Sequence, residues 1–221
     1  MNDYSFGPIF NGLIYLTALI PILPLILLLV VKKSTIAPMN LHQSLILLCL
    51  ISIFSDLICH FTGPIFKNNN PIYHIYDILS GAVILHIYKL NFTNEKTKKI
   101  IILLLFIYVT FSIFLFFYKD GYKFDNTESV ISLKIIVILL SIYYFLTLFY
   151  ELKIRSLKNY YFFWINTAFL FYCSTTFYVF LFEDFVMLGA NEIYLWPIHL
   201  IATIIFNLLL SKGIWTMKKL S

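Results

Sequence analysis

Seven apolar runs lie near residues 10–31, 42–63, 71–90, 100–118, 130–151, 161–183 and 192–214, separated by short polar connectors. Each run is close to the ~20 residues that a helix needs to cross a hydrocarbon core of ~30 Å. The pattern predicts an all-α integral membrane protein with seven transmembrane helices. The longest connectors, roughly 91–99 and 119–129, are too short to fold alone, so residues 1–221 form a single seven-helix transmembrane domain.

The distribution of charge orients the bundle. If the connector after the first run is cytoplasmic, alternation puts Lys32, Lys33, Lys89, Lys96, Lys98, Lys99, Lys153, Arg155, Lys158, Lys212, Lys218 and Lys219 on that side. These are twelve of the sixteen basic residues; Lys67, Lys119, Lys123 and Lys134 fall on the other side. Asp3, Asp120, Asp125, Glu128, Glu183, Asp184 and Glu192 join the second group. Basic residues collect on the cytoplasmic face of membrane proteins. The expected topology therefore has the N-terminus outside, the C-terminus in the cytoplasm and the chain crossing the inner or plasma membrane several times. Lys134, near the outer end of the fifth run, is expected to reach outward to the head groups.

Composition agrees. The chain is 61% hydrophobic, against about 45–50% for soluble domains, and its mean hydropathy is +0.87. The net charge of +5 belongs to helix ends that meet anionic head groups, which removes nucleic acid from the expected partners and leaves the lipid bilayer. Cys49, Cys59 and Cys173 lie inside spans without metal-finger or CxxC spacing and are expected to be small buried side chains. The N-terminal segment lacks the basic start of a cleaved signal, so the first span is expected to be retained. The glycosylation pattern at Asn91 falls in a connector assigned to the cytoplasm. Pro21 and Pro24 predict a bend within the first span. Gly63-Pro64, Asn70-Pro71, Asp120-Gly121 and Gly189 mark turns. No internal repeat of the kind common in transporters is visible. The run at 100–118 is nearly free of polar residues and is expected to face lipid.

Ionisable groups inside a bilayer are costly, which makes each a functional candidate. Asp56 and His60 are spaced i, i+4 on the second span, and His74 and Asp77 i, i+3 on the third, so each pair shares a helix face. His199 follows Trp196-Pro197 on the seventh span, and Ser174, Thr175 and Thr176 reach a similar depth on the sixth. This places two carboxylates, three imidazoles and three hydroxyls in one outer slab. Such a set can bind a small ligand or ion, hold a proton, or complete a metal shell. His86, Lys89, Asn166, Asn207 and His42 are expected to be structural: the two asparagines as links between helices, His42 at the inner boundary.

Two families bear on these residues. A retinal protein needs a lysine in the middle of its seventh span, where this chain has none. Ser55, His60, Asp77 and His199 resemble, in order, the Ser, His, Asp and His set of the membrane hydrolases that include alkaline ceramidases and adiponectin receptors. The resemblance implies a zinc site of His60, Asp77 and His199. It departs from that pattern at Leu195, where a second histidine is required, and in its Ser-to-His spacing. The favoured expectation is a receptor- or sensor-like membrane module that binds a small ligand, ion or proton from outside. With no soluble domain it would signal through a membrane-bound partner. No cofactor is expected, zinc excepted; a metal-dependent hydrolase and a small-solute transporter are the alternatives.

Overall fold

The protein is described here by a computed structural model covering residues 8–31, 40–119, 127–151, 157–182 and 192–218. The first span is broken, as its prolines require: α1 (Pro8–Leu19) gives way at Ile20-Pro21 to α2 (Ile22–Val30). A proline inside a helix removes one backbone donor and crowds the preceding turn. The end of α2 is tied to α3 (Leu41–Phe66) by a 2.9 Å hydrogen bond from His42 Nε2 to the Leu28 carbonyl.

Gly63-Pro64 does not form the expected turn. The helix continues through both residues to Phe66, at the expense of the one bond that an amide at position 64 would have given the His60 carbonyl. The chain reverses instead at Lys67, in the left-handed conformation (φ 54), whose amide donates to the Gly63 carbonyl at 2.9 Å. Asn69 folds back on α3 as well, accepting from the Thr62 hydroxyl and donating to the Cys59 carbonyl. Pro71 then opens α4 (Asn70–Asn91), where the fixed φ suits a first turn.

The remaining helices are α5 (Glu95–Tyr118), α6 (Thr127–Glu151), α7 (Tyr161–Leu181) and α8 (Glu192–Lys218), with a short 3₁₀ turn at Leu157–Asn159. The Asn94 side chain caps α5 by accepting from the Lys96 amide. Among the described residues there are no strands. The chain is an all-α bundle.

Among the described residues six stretches are long and apolar enough to cross a membrane, one each in α1–α2, α3, α5, α6, α7 and α8. The exception is α4, whose 22 residues include His74, Asp77, Ser80, His86 and Lys89. Its polarity follows from its position. Each helix packs on its neighbours in sequence, α8 closes the ring onto α1 and α2, and α4 reaches past α5 to touch α6. Lipid therefore meets little of α4, and a full hydrophobic girdle is not needed there.

Displaced to the rim, α5 buries only Thr97, Ile101, Tyr108 and Ser112, a single stripe at spacings of four, seven and four. The rest is apolar and exposed, as the sequence suggests. Gly81 makes the meeting of α4, α5 and α6 possible: a Cβ there would stand 2.5 Å from Tyr108 Cε1 and 3.0 Å from Leu133 Cδ2.

Away from the α3–α4 turn the core is held by a closed polar knot. The Tyr88 hydroxyl contacts Ser141 Oγ at 2.5 Å and donates to Asn166 Oδ1 at 2.8 Å. Asn166 Nδ2 in turn donates to the Ser141 carbonyl at 3.1 Å. All three residues are fully buried, which joins α4, α6 and α7 with the pairings satisfied. Asn166 thus links helices as expected. Asn207 differs, bonding the Thr203 carbonyl of its own helix.

Candidate functional site

The centre of polarity in the membrane-embedded part is a residue for which the sequence suggests another role. Lys134 does not reach outward. It lies about two turns inside α6 and is only 5% exposed. The reason is its register: Val130, Leu133, Val137, Leu140 and Ser141 are all buried on the same side of α6, and Lys134 shares that face.

Its ammonium donates to Thr176 Oγ1 at 2.8 Å and stands over two ring faces, 4.8 Å from the centre of Tyr172 and 4.9 Å from that of Phe180. Thr176 is oriented for this by donating its own proton to the Tyr172 carbonyl at 2.6 Å. An ammonium carries three donors. One finds an oxygen; the rings offer the others only the weaker attraction of a π face.

The same two rings hold His199. Its imidazole packs against Tyr172 (6.0 Å between centres), Phe180 (5.8 Å) and Trp196 (5.6 Å). Its Nδ1 is buried with no hydrogen-bond partner. Lys134 and His199, from α6 and α8, are thus joined through the aromatic face of α7. Pro197 lies inside α8 two residues earlier. By lacking an amide hydrogen it interrupts the ladder beside the site.

Asp77 completes the set from α4. Its main-chain carbonyl accepts from the Tyr108 hydroxyl at 2.9 Å and from Ser80 Oγ at 3.3 Å. Its carboxyl group and the Lys134 ammonium come from the two helices that meet at Gly81 and Leu133. They are not in direct contact: the ion pairs within 4.0 Å among the described residues are Lys98–Glu95 and Lys119–Glu128. The close approach of α4 and α6 at Gly81 and Leu133 fixes this relation, since Leu133 adjoins Lys134 and Gly81 lies one turn from Asp77.

The structure divides the residues expected to share one slab. Thr176 touches Lys134, His199 packs on the same two rings as Lys134, Trp196 packs on His199, and Asp77 lies on α4 out of direct contact with the lysine. Ser174 and Thr175 are half-buried flanks of the Cys173–Thr176 face of α7. His74 is buried but turns toward α5, edge-on to Phe116 at 5.2 Å. Asp56 and His60 are exposed on α3, the histidine edge-on to Phe61 at 5.7 Å. Asp56 acts electrostatically on Tyr73 and Tyr76 across the α3–α4 contact.

A buried amine, a carboxyl group, an unpaired imidazole nitrogen and three aromatic rings can bind a polar solute or pass a proton. Metal chemistry finds less support. Among the described residues no group of three His, Cys, Asp or Glu is placed to hold an ion, so His60, Asp77 and His199 are not drawn into one shell. In comparisons with known proteins the chain matches no family model, no curated protein and no solved structure.

Proposed function

We propose that the chain is a receptor-like membrane module whose binding site is the cluster of Lys134, Asp77, Thr176 and His199. The observation that carries this reading is the enclosed, incompletely satisfied ammonium of Lys134. Burying a charge costs several kcal/mol unless it is paired (~3 kcal/mol or more inside a bilayer). A hydrophobic residue would fill the same space on that face of α6. A lysine kept there with one hydroxyl acceptor suits a group that exchanges partners.

The reading places the protein in the plasma membrane with its N-terminus outside, after the distribution of basic residues. The site then lies in the outer half of the bundle. Binding there shifts the balance between helix packings, and the short basic cytoplasmic connectors pass the change to a membrane-bound partner.

Orientation and binding are tested separately. Reporter fusions after Lys99, Lys158 and Ser221 are expected to read cytoplasmic, and those after Asn69, Asp125 and Gly189 external. Agreement between Lys99 and Asp125 would remove the span between them and with it the scheme.

For binding, Trp196 is a native probe in contact with His199. With Trp164 and Trp215 replaced by phenylalanine, its emission is expected to respond to pH or to added ions and solutes. Lys134→Met is expected to abolish that response. Emission indifferent to all of them would end the binding-site reading.

A further inference from the structure

Two polar residues of α3 stand apart from the Lys134 cluster. Asp56 and His60 lie within Leu41–Gly63, a stretch apolar enough to cross a membrane, and both are exposed. Among the described residues no hydrogen bond or ion pair reaches either side chain. We propose that this face of α3 pairs with the same face of a second copy of the chain, Asp56 of each protomer bonding His60 of the other.

The face is closed at one end of the helix and open at the other. Eleven residues make about three helical turns, so Leu45 lies in line with Asp56, and Cys49 with His60. Leu45 is 0% exposed and Cys49 3%. The bend in the first span explains the contrast. On the inner side of the bend α2 packs on both α3 and α8, with His42 tied to the Leu28 carbonyl. Beyond the bend α1 packs on α8, and the outer part of α3 loses that cover.

The open part has the form of a packing seam. Ile53, Asp56, Leu57 and His60 recur at the spacing along which helices interlock. Ile53 is half-buried and Leu57 is 47% exposed. Lipid accounts for an exposed leucine. It does not account for a carboxyl group and an imidazole, because acyl chains carry no donor or acceptor and a polar group facing them is costly.

The polar pair is complementary to itself. A carboxylate accepts hydrogen bonds and an imidazole donates one. Within the chain the two do not close on each other; His60 is turned edge-on to Phe61. Two copies inserted in the same direction are related by a two-fold axis along the membrane normal. Their α3 helices run side by side, and each residue lies at the depth of its equivalent. Asp56 of one protomer then stands one turn, about 5.4 Å along the axis, from His60 of the other, and the symmetry makes the bond twice. Interhelical bonds of this kind hold membrane helices together. A partner of another sequence would have to place a donor at this depth, whereas a second copy brings one by symmetry.

The test uses the full chain in phosphatidylcholine vesicles, with donor and acceptor fluorophores on separate copies. Energy transfer is expected to saturate at the level of a dimer and to fall as lipid dilutes the protein. Asp56→Leu and His60→Leu should each weaken association at least tenfold. Neither side chain bonds within its own chain, so the folded monomer is expected to survive both changes. Asp56→His combined with His60→Asp keeps one acceptor and one donor on the seam and should restore the dimer. Phe106→Leu, exposed on α5, should change nothing. A photo-crosslinking residue at Leu57 should give a covalent dimer, and the same residue at Phe106 should not.

A chain that remains monomeric at every dilution overturns the proposal. So does a dimer that forms through Phe106, or one indifferent to both leucine variants. If the exchanged pair folds but associates no better than the single variants, the Asp56–His60 bond is refuted. Dilution and crosslinking at Leu57 decide the matter even if a variant fails to fold.

Discussion

Gly213→Leu is expected to leave almost no folded protein in the membrane, whereas Gly12→Leu is expected to have no measurable effect. A Cβ at Gly213 would lie 2.7 Å from Ile165 Cγ1, 3.1 Å from the Tyr161 carbonyl oxygen and 3.2 Å from the Ile165 amide nitrogen. Two of those three atoms belong to the α7 backbone and cannot turn aside. A longer side chain has to push α8 away from α7, and interiors resist such overpacking at about 1–3 kcal/mol or more per site. These two helices carry the core of Ile165, Phe169, Leu210 and Ile214 and also align Thr176 with His199. Small residues are what allow helices to approach this closely in a membrane. Gly12 meets nothing within 4 Å. The measurement is the monodisperse fraction after detergent extraction, with Gly213→Ala expected between the two. Equal yields for Gly213→Leu and Gly12→Leu would show that the α7–α8 contact is not as close as described.

Much of the bundle is legible in the sequence because the bilayer imposes simple requirements. Length and apolar content expose a spanning helix, and all seven runs correspond to helices. The bend at Pro21 and the peripheral place of α5 follow from a proline and from a run with almost no polar side chains. Errors arise where a local signal competes with position. Gly63-Pro64 carries a strong turn signal, yet a helix can absorb both residues in its final turn, and Lys67 reverses the chain with no glycine to mark it.

The site is harder to read for a physical reason. Depth along a span can be counted, but the direction in which a side chain points depends on which neighbours the helix has. Asp56 and Asp77 lie at similar depth, and only the second faces the ring of helices. His60 and His74 part in the same way, one exposed and the other turned to α5. Lys134 is the instructive case. Near a span end, lysine is ordinarily read as reaching for water. A second signal stood beside it: Val130, Leu133, Val137 and Ser141 mark the buried stripe of α6, and Lys134 falls within that register rather than opposite it. A cation on the stripe that packs against three other helices is the sign that sequence reading should weigh most.

That sign leads to a second large effect, opposite in direction to the first. Lys134→Met is expected to preserve the fold, or raise its thermal midpoint, while abolishing the response of Trp196. Methionine has a similar length and an unbranched apolar chain that fits irregular gaps. It can lie against Tyr172, Phe180 and Leu133 without a charge to desolvate. Replacing a whole buried ion pair by hydrophobic groups of similar volume is often neutral or stabilising by ~1–4 kcal/mol, and Lys134 has no carboxylate in direct contact to be left behind. The opposing cost is small. Asp77 is only half-buried and not in direct contact with the lysine, and Thr176 keeps its bond to the Tyr172 carbonyl. Loss of the response without loss of stability would mark Lys134 as a residue of a site rather than of the fold. Lys134→Ala is the contrasting variant: it removes the charge and also leaves a cavity, so it is expected to lose stability where methionine does not. Thermal midpoints in matched nanodiscs, read beside the Trp196 response, separate the possibilities. If Lys134→Met unfolds at a clearly lower temperature than the parent, the lysine is a structural tie between α6 and α7. The cluster around it would then be packing rather than a site.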